Sequence, residues 1–188
     1  MSSIINSYQH LINRLNDVVR MLKAHPKILS DEKHKELYPA YRKAMYIAIS
    51  SSDLIIGLKN LDRSAIERNE IDANYFARHI VLVCYELINH QQKVLDKNVG
   101  LLFKLALEEN DFKEYKSFKT ELKDIKNEHF DSLKYIRNNL IAHRAADGLE
   151  MANGMLSIDN KKIYKIGKSV FDAYFKLIGF YVAAIGKL

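Results

Sequence analysis

One stretch of the sequence, residues 135–144, concentrates side chains that can bind an anion and move a proton. It reads Tyr-Ile-Arg-Asn-Asn-Leu-Ile-Ala-His-Arg, with two arginines, two asparagines and one histidine among apolar residues. An arginine is always charged, and its planar fork matches the geometry of a phosphate group. A histidine titrates near neutral pH and can accept or donate a proton. These residue types together indicate cleavage of a phosphodiester.

The chemistry of this stretch needs no metal ion or cofactor if the substrate is RNA, because RNA carries its own nucleophile in the 2′-hydroxyl. The rest of the sequence also suggests no metal site. His79 and His90 have no carboxylate or cysteine at a clear metal-ligand spacing. A Gly-rich phosphate loop, a serine-nucleophile motif and a Cys/His cluster are likewise missing from the sequence.

Helical geometry relates the members of this stretch to each other. With Ile136 at zero and a rotation of about 100° per residue, His143 falls within about 20° of Ile136, on the apolar stripe. Asn139 lies beside His143 on the same face, whereas Arg137 and Arg144 flank the stripe on its other side. Arg137 and His143 therefore occupy opposite edges of one apolar seam. If two such seams pack across a two-fold axis, each subunit contributes one edge to a shared cleft.

Each of these residues also has a structural interpretation. His143 on an apolar seam can be a core or interface histidine, and Arg137 and Arg144 can simply favour the C-terminal end of their helix. Asn139 can cap the helix or orient His143. Four basic side chains that follow the stretch can either steer RNA or belong to a solvated loop: Lys161, Lys162, Lys165 and Lys168.

Length and composition predict one all-α domain over residues 1–188. The chain of 188 residues is long enough to bury a core, and its 7 Gly and 2 Pro leave little room for turn-rich β structure. The net charge of +6 is compatible with RNA or another polyanion, and equally with simple solubility.

Apolar spacing places the elements that carry this stretch. It predicts an up-and-down helical bundle of five to six helices, with a small β-hairpin near 155–166. Asn98 to Gly100 marks a break between helices. The first three predicted helices are an amphipathic one over 3–24, one from Pro39 to about Asn60 and one from Asp72 to about Lys97. A short helix over 101–106 follows, and then a long charged helix from Asp111 that ends in the Arg/His stretch. The last helix is predicted to start at Ser169, with Asp172 as its capping partner.

Other features of the sequence favour a cytoplasmic location. The lone Cys84 lies in an apolar run and is expected to be a small buried side chain. The first residues lack a charged segment followed by an apolar one, so no secretory signal is predicted. No apolar run approaches the roughly 18–20 residues that a membrane span needs, so no membrane partner is expected.

The stretch resembles the signature of the HEPN superfamily, an arginine followed by a polar residue and, after a short gap, a histidine. Here five residues separate Arg137 from His143. The form Arg-Asn-…-Ala-His-Arg is most similar to bacterial HEPN proteins of the abortive-infection type. The resemblance implies a helical bundle that dimerises through the motif helix. In active members it also implies a metal-independent endoribonuclease, often in toxin–antitoxin or phage-defence systems.

Carried over by position, Arg137 matches the family arginine, Asn138 the polar residue after it, and His143 the histidine. Arg137 binds the scissile phosphate and His143 does the acid/base work, with Asn138, Asn139 and Arg144 in support. The implied partners are RNA, a second copy through the 129–144 helix, and an antitoxin protein. Members paired with a nucleotidyltransferase antitoxin often have Tyr two residues after the histidine, where this chain has Ala145. The alternative is a non-catalytic HEPN-like helical dimer that binds a partner protein or nucleic acid.

Overall fold

The computed structural model describes residues 38–138 and 156–185, together with positions 6, 9, 10, 13, 17, 153, 154 and 187. The described part of the chain is helical and contains no strand, which confirms the prediction of an all-α fold. Its helices are α1 (Tyr38–Ile66), α2 (Glu70–Asn89), α3 (Gln91–Val94), α4 (Lys97–Ala106), α5 (Glu109–Ile136) and α6 (Asn160–Ile185).

The predicted N-terminal helix over 3–24 lies outside the described residues except at single positions. Those at 6, 9, 10, 13 and 17 are helical, and all of them are exposed polar side chains. Gln9 Nε2 donates to Asn13 Oδ1 at 3.4 Å. These positions therefore agree with the polar face that the sequence predicts there.

The turn between α1 and α2 is built by local hydrogen bonds. Arg68 has a φ of 55°, and the Asn69 N–H donates to the Ser64 carbonyl at 2.9 Å, which closes the C-terminal turn of α1. The Asn69 side chain then accepts from the Asp72 N–H at 3.2 Å and caps α2. Helix α1 thus continues six residues beyond the predicted end at Asn60, and α2 begins before Asp72.

The predicted break at Asn98 to Gly100 is wrong, because these residues lie inside α4. The interruption comes earlier, where α2 ends at Asn89 and the four-residue α3 follows. Asp96 caps α4: its carboxylate accepts from the Asn98 and Val99 N–H groups at 3.1 and 3.3 Å. An acidic cap satisfies the first amides of a helix. Asp96 therefore sets the N-terminal end of α4, and Gly100 is tolerated inside that helix.

The predicted β-hairpin near 155–166 is also wrong, since α6 begins at Asn160 and includes Ile163 and Ile166. A spacing of three would place these isoleucines on opposite faces of a strand, whereas in a helix both are buried on one face. Asp159 caps α6 by accepting from the Lys161 and Lys162 N–H groups, each at 3.0 Å. The cap predicted at Ser169 therefore lies within the helix.

The chain forms two compact units, while the expectation of a single domain stays a prediction. The first unit comprises residues 1–52, 90–122 and 173–188, and the second comprises 53–89 and 123–172. Phe103 lies at the centre of an aromatic cluster in the first unit, with its ring centroid 4.7 Å from Tyr115 and 4.9 Å from Tyr181. Both contacts are edge-to-face, a favourable arrangement for aromatic rings.

Close helix packing builds the core of the second unit. A Cβ at Gly167 would lie 2.7 Å from Ile80 Cγ2 and 3.0 Å from Leu58 Cδ2, so the missing side chain lets α6 approach these residues. Cys84 is fully buried here, as predicted, and burial raises the pKa of its thiol. Among the residues that the structure describes, no helix is long and apolar enough to cross a membrane.

Candidate functional site

The predicted site begins where α5 ends. The apolar stripe of α5 extends to the end of the helix: Leu133 is fully buried and Ile136 is half-buried. Arg137 and Asn138 then continue in π-helical conformation, in which hydrogen bonds span one more residue than in an α-helix. The rotation of about 100° per residue does not hold through such a turn. The predicted angle between Arg137 and His143 therefore stays a prediction.

Two groups fix the guanidinium of Arg137, which is half-buried. Its Cζ lies 5.3 Å from the ring centroid of Tyr85, within the range of a cation–π contact. Its Nη1 donates to Asn138 Oδ1 at 3.0 Å. A flexible arginine therefore has a defined position at the end of α5, and Asn138 is the residue that orients it.

Tyr85 itself stacks on Phe130 of α5, with ring centroids 5.5 Å apart and an interplanar angle of 15°. Tyr85 of α2 therefore contacts two side chains in and just after α5, the ring of Phe130 and the guanidinium of Arg137.

Lys126 completes this arrangement, because its Nζ lies 5.3 Å from the ring centroid of Phe130. We call Lys126, Phe130, Tyr85 and Arg137 the aromatic column. The negative face of an aromatic ring attracts a cation, and each ring of the stack has one 5.3 Å from its centroid. Within the described residues, no carboxylate forms an ion pair with Lys126 or Arg137. The column therefore presents positive charge that an anion can neutralise.

The structure describes part of the predicted site and adds residues that the sequence analysis missed. Arg137 and Asn138 are in contact, whereas Asn139, His143 and Arg144 lie outside the described residues. Lys126 and Phe130 were missed although they lie four residues apart on one face of α5. Tyr85 had no local pattern that could have identified it, because it comes from another helix.

The described residues offer little to hold a metal ion. They include no group of three or more His, Cys, Asp and Glu side chains that could coordinate one. The chemistry available at the aromatic column is instead the binding of an anion by a positioned guanidinium, whose fork can donate two parallel hydrogen bonds to a phosphate.

The fold and this site define an all-α helical protein with a cation held on an aromatic stack. No family model matches the chain, and neither a curated protein nor a solved structure matches it. The interpretation of the site therefore depends on its residues and their geometry.

Proposed function

We propose that the protein is a metal-independent endoribonuclease of HEPN type that acts as a homodimer. One observation carries the proposal: Arg137 is held over Tyr85 without a carboxylate ion pair among the described residues. A guanidinium fixed in this way is prepared to bind a phosphate, since little of its side-chain freedom remains to be lost on binding.

In this proposal Arg137 binds the scissile phosphate and stabilises the charge that develops in the transition state. The 2′-oxygen attacks phosphorus as its proton leaves, and the bond from phosphorus to the 5′-oxygen breaks as that oxygen gains a proton. His143 transfers these protons. Asn138 holds the guanidinium, as its hydrogen bond to Nη1 suggests, and Asn139 and Arg144 act in support.

The proposal requires a second copy of the chain. Arg137 and His143 are predicted on opposite edges of the seam of the 129–144 helix, so a complete site combines the edges of two subunits. A cytoplasmic toxin that degrades RNA during phage infection, restrained by an antitoxin protein, is the biological role that we infer from the resemblance of this stretch to abortive-infection HEPN proteins.

A non-catalytic helical dimer that binds a partner protein or nucleic acid is the second candidate. This second candidate is favoured by the side chains that surround Arg137 in the described part of the site. That part holds a positioned cation, Arg137, in contact with Tyr85 and Asn138. Such an arrangement is sufficient to bind a phosphate backbone without cleaving it.

The test is an RNA cleavage assay in excess chelator with the full chain. We expect the wild type to cleave, and Arg137→Ala and His143→Ala to lose on the order of 100-fold or more in rate, the usual loss for a charge-stabilising or acid/base group. Lys134→Ala is the matched control, because Lys134 is an exposed cation on the same helix.

Equal background cleavage by all variants would rule out the nuclease. If the wild type binds RNA without cleaving it and Arg137→Ala weakens that binding, the non-catalytic dimer is supported. Sedimentation of the wild type measures the dimer on which both candidates depend.

A further inference from the structure

The first unit contains a pocket of about 390 Å³ that the chemistry of Arg137 does not use. Its volume lies within the roughly 300–1,000 Å³ that is typical of small-molecule sites. Helix α1 lines it with Arg42, Lys43 and Tyr46, which share one helical face. His90 and Lys93, three residues apart, line it from the other side.

One wall of the pocket is aromatic. The rings of Tyr46 and His90 meet edge-to-face with centroids 6.4 Å apart, and the Tyr46 hydroxyl lies 3.5 Å from His90 Nδ1. Tyr46 is 37% exposed, so part of its ring faces the pocket. The apolar atoms of Pro39 and Val94 extend this surface. The wall can therefore contact a flat, apolar part of a ligand.

The charges of the pocket do not all remain available to a ligand. Lys43 forms an ion pair with Asp96, the residue that caps α4. Partial burial acts to raise the pKa of Asp96, but the hydrogen bond from Lys43 and those from the Val99 and Asn98 N–H groups outweigh it and lower the pKa below its usual value. Asp96 is thus ionised at neutral pH and neutralises Lys43.

Arg42 and Lys93 supply the remaining positive charge. Both side chains are exposed at the pocket, and neither has an ion pair within the part of the chain that the structure describes. Two cations that have no ion pair among the described residues, beside an aromatic wall, match a doubly charged anion attached to a ring. The guanidinium of Arg42 matches the geometry of a phosphoryl group in particular.

We infer that this pocket binds an aromatic phosphomonoester, with the phosphoryl group between Arg42 and Lys93 and the ring against Tyr46. A phosphomonoester loses its second proton near pH 6, so at neutral pH it carries close to the two negative charges that the pocket can neutralise. The inference is independent of the proposed nuclease activity, because it uses none of the residues of the aromatic column.

Three probes of known charge and shape test the inference by calorimetric titration of the full chain at constant ionic strength. Phenyl phosphate has the ring and two charges, phenyl sulfate has the ring and one charge, and inorganic phosphate lacks the ring. We expect phenyl phosphate to bind at least about tenfold tighter than either of the others, since each lacks one of the two groups that the pocket recognises.

Variants assign the binding to the pocket. Arg42→Gln and Lys93→Gln should each weaken phenyl phosphate binding at least about tenfold, as expected for the loss of one charge-assisted contact. Tyr46→Ala should remove the advantage of phenyl phosphate over inorganic phosphate. Lys104→Gln is the matched control, because Lys104 is an exposed cation of the first unit that does not line the pocket.

Some outcomes overturn the inference. These are no binding at millimolar phenyl phosphate, equal binding of phenyl sulfate, or equal weakening by Lys104→Gln and Arg42→Gln. If inorganic phosphate binds as tightly as phenyl phosphate, the aromatic part of the inference is wrong. RNA cleavage by Arg42→Gln should equal that of the wild type, so failure here and failure of the nuclease proposal remain distinguishable.

Discussion

The two units of the chain use aromatic residues in different ways. In the aromatic cluster of the first unit, Phe103 meets Tyr115 and Tyr181 edge-to-face, and all three rings are at most 2% exposed. In the aromatic column of the second unit, Tyr85 and Phe130 stack nearly parallel and are only half-buried. The rings of the cluster thus contact each other edge-to-face, whereas those of the column stack and are less buried.

The difference follows from the charge distribution of an aromatic ring, which is negative on its faces and positive at its edge. In the cluster, ring edges contact ring faces, and the cation Lys119 lies farther out, with its Nζ 6.0 Å from the centroid of Tyr115. In the column, the guanidinium of Arg137 contacts the Tyr85 ring and the ammonium of Lys126 contacts the Phe130 ring, each 5.3 Å from the centroid. Burial makes the cluster a source of stability, whereas partial exposure lets the column hold charge where a ligand can reach it.

The largest effect should come from the cluster. Phe103→Ala removes a fully buried ring and is expected to lower the free energy of unfolding by about 3–5 kcal/mol. The loss combines the transfer of the ring from water with the cavity that it leaves. Urea unfolding followed by circular dichroism measures it. Phe103→Leu, which keeps most of the volume, should lose clearly less; equal losses would mean that the ring contacts, and not the filled volume, stabilise the cluster.

A smaller effect should appear at alkaline pH. Burial, with a further contribution from the charge of Asp96, raises the pKa of Tyr115 from 10.0 to about 12. A raised pKa in the folded state means that stability is complete below pH 10 and falls as pH rises toward 12. The urea midpoint should therefore decline over this interval.

Tyr115→Phe is the matched variant for the alkaline decline. The Tyr115 hydroxyl is buried without a hydrogen-bond partner among the described residues, so its removal should cost little at neutral pH. The decline should become shallower in this variant, although Tyr181, whose pKa burial also raises, keeps part of it. An identical decline in wild type and variant would show that Tyr115 does not contribute to it.

The fold was largely predictable from the sequence because helical spacing reports which face is buried. The stripe of α5 is present where predicted, from Tyr115 to Leu133. The errors occurred where a single side chain decides a boundary. Asp96 and Asp159 begin α4 and α6 through bonds to backbone amides, and two isoleucines three residues apart were interpreted as part of a strand. Caps depend on local geometry that apolar spacing does not report.

The site was only partly predictable for a different reason. Arg137 and Asn138 were found because they are adjacent in a polar stretch, and their contact follows from that adjacency. Tyr85 precedes Arg137 by more than fifty residues, and nothing in its own neighbourhood marks it. The pocket of Arg42 and Lys93 was missed likewise, because its two sides come from separate helices. Contacts between distant segments are set by packing, which a single sequence does not specify.

The smallest expected effect is the most informative about the column. Tyr85→Leu removes the ring beneath Arg137 and should weaken RNA binding about two- to fivefold, corresponding to the roughly 0.5–1 kcal/mol of a cation–π contact at a partly exposed position. Tyr85→Phe keeps the ring and should bind as the wild type does. Filter binding of a short RNA in chelator measures both, with binding of phenyl phosphate in the first unit as the control that should not change.

The Leu and Phe variants separate a positioning role from a merely structural one. If Tyr85 only filled space, Leu would be tolerated as well as Phe, because both are apolar side chains of similar bulk. If the Tyr85 hydroxyl were required, Tyr85→Phe would weaken RNA binding as much as Tyr85→Leu. Weakened binding in Tyr85→Leu alone is the result that requires the ring face. It would mean that Arg137 is presented to its ligand by an aromatic residue from another helix.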